Sequence, residues 1–216
     1  MDNAISVSAD KRIPTRQKIL SNAVDLFATK GYTETSVRDI ATAVGINASS
    51  LYNHFKSKED ILRFLLNSFG EQTENIFKNP DLPDILRSNP TVDGLLSCFD
   101  ASLEMFSDDR SFRTLQMVYQ EHHRNELIRE YVSNTMLESE KYMENIFAIL
   151  KELNIIKQDA NPDFWKKITS SLLYTFPNRT MIGIGSGSSA YTGMDLRDLL
   201  FYMFSLMFKL YSIADT

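Results

Sequence analysis

The sequence predicts an all-α protein in which a small N-terminal unit of three helices precedes a larger helical domain. Three observations carry that expectation. Apolar residues recur at helical spacing along most of the 216 residues, whereas alternating strand-like runs are nearly absent. Residues 36–55 contain a cap, an apolar stripe, a glycine and a second cap in close succession. The charge is also divided unevenly: residues 11–63 carry nine Lys/Arg against five acids, whereas residues 64–216 have a net charge of −7.

The elements follow in order. Ile19, Leu20, Ala23, Val24, Leu26 and Phe27 form the wide buried face of a first helix, closed by Lys30-Gly31, a cation and a C′ glycine. Ser36 caps a second helix, with Asp39 three residues on as a short capping-box acid. Val37, Ile40, Ala41 and Val44 are its apolar stripe. Gly45 supplies the positive φ that ends it. Asn47 caps a third helix that buries Leu51 and Phe55 and leaves Ala48, Ser49, Tyr52 and Asn53 facing outward. Ser57 and Asp60 then open a fourth helix with Ile61, Leu62, Leu65 and Phe69 on its apolar face. A short helix with a small and polar free face, set after a tight turn, is suited to a DNA major groove.

The run Arg16…Ile19-Leu20…Ala23…Leu26-Phe27…Gly31-Tyr32…Thr35-Ser36-Val37…Ile40-Ala41…Val44-Gly45…Leu51-Tyr52-Asn53-His54-Phe55-Lys56-Ser57-Lys58-Glu59 resembles the DNA-binding domain of TetR-family transcriptional regulators. The Leu-Tyr-x-His-Phe-x-x-Lys segment is its most discriminating part. The resemblance covers roughly a quarter of the chain; beyond Phe69 only the family's general all-helical habit is shared. It implies domains at 13–62 for DNA binding and 63–216 for ligand binding and dimerisation, after a disordered tail at 1–12. It also implies a set of DNA-contacting residues: Thr35, Ser36, Asn47, Ala48, Ser49, Ser50, Tyr52, Asn53, His54 and Lys58. Within this set Tyr52 and Lys58 would hold phosphates, and Ser49, Ser50 and Asn53 would lie nearest base edges. Asn53 could pair with adenine and Ala48 could touch a thymine methyl. His54 is expected to pack or hydrogen-bond at the base of the unit.

Charge and composition fit that expectation. The whole chain is acidic, at −5, but the head is net +4 and the first ten residues contribute −2. A cationic head on an anionic body turns one face towards phosphate. Cys98, the single cysteine, lies among Leu95, Leu96, Phe99 and Leu103. It reads as a buried small hydrophobe, the sharper alternative being a redox sensor. The first ten residues lack the apolar core of a signal peptide, and no run approaches a membrane span, so a soluble cytoplasmic protein is expected, and the resemblance implies a bacterial one.

In the body, Asn79-Pro80-Asp81-Leu82-Pro83 and Asn89-Pro90 act as punctuation. A helix is expected over Val92–Phe106, another over Phe112–Arg124, and a long one over Glu126–Leu153, roughly 40 Å in length. Asn161-Pro162-Asp163 opens a helix through Phe176 that Pro177 stops or kinks. The glycine-rich run from Met181 to Gly193 lacks the endings of a phosphate loop or a nucleophile elbow and reads as an interhelical loop. Asp195–Ile213 is apolar around most of its circumference, which requires burial on more than one side. This points to a homodimer, and the resemblance implies that the last two helices of each copy pair as a four-helix bundle, with Trp165, Leu172, Phe201, Phe204 and Phe208 expected at the interface.

Polar residues interrupt two apolar stripes. Phe106, Gln116, Tyr119, His123, Thr135, Ser139 and Tyr142 are the candidate lining of a pocket for a small apolar or aromatic effector. The alternative is ordinary core polar groups bonded to nearby backbone. Adjacent histidines at 122 and 123 point about 100° apart and suit no shared ion, so neither a metal nor a cofactor is expected. Function therefore reads as a ligand-responsive regulator, in such families more often a repressor, that binds a palindromic operator as a dimer. The rival classes are an architectural DNA-binding protein without a ligand and, last, an enzyme on a helical scaffold, for which no residues pair a nucleophile with a base.

Overall fold

The computed structural model describes residues 13–186 and 196–213, without the side chains of 106–107 and 176–186. Eleven α-helices are found among them, with an isolated bridge between Ile156 and Ser212 as the one strand-like contact. The expected N-terminal tail at 1–12 lies outside the described residues.

The head comprises α1 (Thr15–Lys30), α2 (Val37–Val44) and α3 (Ala48–Tyr52). Each of the predicted stops and starts is made by the expected residue. Ser36 and Asp39 form a reciprocal capping box at α2, Gly45 takes a left-handed φ of 76°, and Asn47 accepts from the Ser50 N–H. Lys30 bridges to Asp39 at 2.9 Å. The Ser36 backbone and the Lys30 ammonium hold the Asp39 carboxyl down to about 2. The core gathers Ile19, Ala23, Phe27, Ile40, Leu51 and Phe55 against Ile61, Leu62 and Leu65 of α4 (Lys58–Phe77). The head does not close on itself: Met117, Val118 and Ile128, from much later in the chain, complete this core.

The body adds α5 (Leu82–Ser88), α6 (Val92–Ser97), α7 (Asp100–Ser107), α8 (Asp109–Glu121), α9 (Glu126–Glu152), α10 (Asp163–Ser186) and α11 (Leu196–Tyr211). Four features differ from the sequence-based expectation. The Pro-rich punctuation contains a helix, α5, because Pro83 stands in its first turn, where no backbone N–H is needed. The helix expected over 92–106 is broken at Cys98–Phe99. Phe99 turns into the core, with its ring 5.6 Å from Tyr142 and 5.3 Å from Phe204. Pro177 does not end α10, which continues to Ser186; a single missing backbone hydrogen bond is tolerated in a long helix. Met181–Ser186 of the glycine-rich run is thus helical, and 187–193 lie outside the described residues. By contrast, α9 begins and ends almost where the pattern places it, capped by Asn125.

The dimer set also needs correction. Trp165, Phe204 and Phe208 are buried in the protomer's own core with Leu200, Met207 and Ile146, and Leu172 packs at its margin. The outward apolar residues of α11 are Phe201, Tyr202, Leu206 and Leu210. A helix apolar nearly all round has its first covering within the chain, and the remaining stripe lies at a different angle.

Candidate nucleic-acid interface and ligand cavity

The third helix stands out from the head with Leu51 as its buried anchor. Tyr52 is 53% exposed, and Ser49, Asn53 and His54 are also exposed, while Ala48 and Ser50 are half-buried. His54 therefore faces solvent instead of packing at the base of the unit. Asn47 is occupied locally: its Oδ1 accepts from Ser50 N–H at 2.7 Å and from the Ser49 hydroxyl at 2.8 Å. Ser36, exposed at the α2 start, accepts from Asp39 N–H.

Two residues of the DNA-contacting set have other partners. Thr35 is buried, and its hydroxyl donates to the Gly31 carbonyl at 2.8 Å. Lys58 directs its ammonium into the turn between α1 and α2. There it donates to the carbonyls of Tyr32 at 2.7 Å and Thr35 at 2.8 Å, and more weakly to that of Thr33. It also lies 4.3 Å from the Tyr32 ring centroid. Burial lowers the Lys58 pKa, opposed by the charge of Glu121. With its donors engaged, Lys58 is a clamp on the turn and not a free phosphate ligand. Arg38 and Lys56, exposed and without an ion pair among the described residues, are better placed for that task. Their exposure, which the positions of a transferred motif do not carry, is what marks them as candidates.

Beneath α4 lies a narrow cavity of about 70 Å³. Phe69, Thr73 and Phe77 of α4, at four-residue spacing, form one wall. Leu115, Val118 and Tyr119 of α8 form the next. Tyr131, Thr135 and Ser139 of α9, with Leu173 and Tyr174 of α10, complete most of the rest. Among the described residues no charged side chain lines it. The Thr135 and Ser139 hydroxyls donate to their own helix, at Tyr131 and Met136 carbonyls. Tyr131 meets the Thr73 hydroxyl at 3.3 Å. Burial, reinforced by Tyr174 and Tyr131, raises the Tyr119 phenol pKa, keeping it a neutral donor.

Of the seven pocket candidates, Tyr119, Thr135 and Ser139 line this cavity. Tyr142 does not: its hydroxyl donates to the Cys98 carbonyl at 2.7 Å in the main core. Gln116 is half-buried because α8 turns Leu115, Val118 and Tyr119 inward, and His123 is exposed in the turn beyond the end of α8. The side chain of Phe106 lies outside the described ones. Cys98 is buried, with burial pushing its thiol up to about 12.

A capped reader helix on a cationic head places the protein in the helix-turn-helix class. Its relatives narrow that class. Residues 19–64 match the profile described as bacterial regulatory proteins, tetR family. The chain is 28% identical over 134 residues to the uncharacterized HTH-type transcriptional regulator YerO of Bacillus subtilis, covering 62% of this chain and 46% of YerO. It is 31% identical over 139 residues to the biofilm operon icaADBC negative transcriptional regulator IcaR of Staphylococcus aureus, covering 64% of this chain and 63% of IcaR. It thus spans about half to under two thirds of the length of these relatives. Among solved structures, Salmonella enterica GusR superposes with a TM-score of 0.65 over 93% of this chain and 98% of GusR, at 19% identity. A SmeT–triclosan complex does so with a TM-score of 0.66 over 92% of this chain and 91% of SmeT, at 18% identity. At such identities the likeness is one of fold. Residues 19–64 thus carry a DNA-binding domain of the tetR-family type, on a fold shared with solved TetR-family regulators.

Proposed function

We propose that this protein is a ligand-responsive transcriptional repressor that binds a palindromic operator as a homodimer and is released by a small neutral aromatic effector. One observation carries the reading: α4 begins at the clamp of the DNA-reading head and continues as a wall of the uncharged cavity. A molecule that enters the cavity must displace or brace the same helix that holds the head.

In this reading Ser49, Ser50 and Asn53 face base edges, and Tyr52, Arg38 and Lys56 face phosphates. The repressor sign is supported by IcaR, named a negative transcriptional regulator. The aromatic class is supported by the cavity's tyrosines and by the triclosan complex of SmeT. The neutral lining among the described residues favours a neutral effector over an ionised one, since a buried unpaired charge is costly. Tyr119 offers its phenol to an acceptor on the ligand.

Selection of duplexes from a random pool tests the reading. Two inverted half-sites about one helical turn apart are expected. Enrichment of no sequence, with affinity governed only by salt, would favour an architectural DNA-binding protein instead.

A further inference from the structure

Helix α8 has two working faces. Arg113, Met117 and Glu121, four residues apart, face the head. Arg113 pairs with Asp25 of α1 at 3.1 Å, and Met117 is fully buried in the head core. Glu121, only 5% exposed, accepts the Tyr32 backbone N–H at 2.9 Å. Leu115 and Tyr119 project from the opposite side into the cavity. Residues 119 and 121 are separated by about 200° around a helix, so a rigid shift of α8 at Tyr119 is carried to Glu121.

Tyr32 lies in the turn whose carbonyls hold Lys58. The turn is thus gripped from both sides, by a carboxylate of α8 on its N–H and by an ammonium of α4 on its carbonyls. Gly31 makes the approach possible: at φ 93° it adopts a conformation other residues avoid, and a Cβ there would stand 3.1 Å from the Glu121 Oε1. The turn leads directly into α2 and the reader helix.

We propose that Glu121 is the positioning residue through which the cavity wall sets the orientation of the DNA-reading head. Its role in signalling rests on the reading of the cavity as an effector site; its hold on the turn does not. Removing the acceptor leaves the Tyr32 N–H without its partner and frees the turn from α8, while the cavity and the reader helix keep their own residues.

The test uses the full chain with Glu121→Gln, which retains an acceptor oxygen, and Glu121→Ala, or Glu121→Leu should the alanine variant not fold. Amide exchange at Tyr32 is measured alongside binding of the neutral aromatic dye Nile red and of a duplex selected by the unmodified protein. In the unmodified and Gln proteins a slow Tyr32 amide is expected, with dye and duplex weakening each other about tenfold, within the usual range of allosteric coupling. In the Ala or Leu variant the amide should exchange about tenfold faster. Each ligand alone should bind within about threefold of normal, and the mutual weakening should fall below about twofold. A variant without the acceptor that keeps the slow amide or the full coupling overturns the proposal. If the dye fails to bind the unmodified protein, or binds without affecting the duplex, the effector reading fails with the signalling role. Tyr32 exchange then decides the hold on the turn separately.

Discussion

Tyr52 and Lys58 receive the same phosphate-holding role from resemblance, yet their surroundings separate them. Tyr52 projects from the reader helix into solvent, whereas the Lys58 ammonium is enclosed by three carbonyls of one turn. Tyr52→Ala is therefore expected to weaken binding to every duplex without altering sequence preference, because phosphate contacts carry no sequence information. Asn53→Ala should instead cost about 1–3 kcal/mol at one base pair per half-site. Titrations of selected and random duplexes across salt concentration separate the two; equal loss on both duplexes for Asn53→Ala would remove it from the base-reading set. Cys98 illustrates the opposite case, a residue whose environment silences it. Buried and with its pKa raised to about 12, it should resist iodoacetamide at about pH 8 until the protein unfolds. Rapid labelling of the native protein, followed by mass spectrometry, would show that the thiol is reached.

Local sequence signals located the elements of the head because caps and glycines act on neighbours in the chain. Ser36, Gly45, Asn47 and Ser57 each perform the expected task with partners no more than a few residues away. The same logic placed α9. It failed at α6 and α7, where continuous apolar spacing conceals a break produced by a distant contact, the burial of Phe99 against Tyr142 and Phe204. Gly94 marks another such contact. An added Cβ would come within 1.8 Å of the Asn89 carbonyl oxygen, a backbone atom that cannot swing aside. Gly94→Ala is expected to destabilise the protein by roughly 1–3 kcal/mol through forced displacement of α6. An unchanged urea midpoint would mean that the 89–94 turn yields at little cost.

At the scale of the molecule, the outer stripe of α11 remains without a covering layer. Tyr202, Leu206 and Leu210 recur every four residues, and Leu206 is 50% exposed. This stripe, together with Phe201, is the interface of the proposed homodimer. Leu206→Glu should yield monomers by sedimentation and reduce duplex affinity, because one head makes half the contacts; Phe204→Glu should unfold the protomer, since Phe204 is fully buried within it. A monomeric unmodified protein at micromolar concentration would sink the dimer. No described helix is long and apolar enough to cross a membrane.

Which residues cap, turn and line one face of a helix was decided by the sequence alone, since those relations are set by covalent neighbours and the 3.6-residue period. The head, its reader helix and the resemblance to TetR-family regulators were legible for that reason. The angle at which each helix meets the others was not, because an apolar side chain carries no mark of which surface will cover it. Only the tertiary structure decided that Phe204 is core and Leu206 surface, that Tyr119 lines the cavity and His123 does not, and that Lys58 and Glu121, 63 residues apart in the chain, grip one turn.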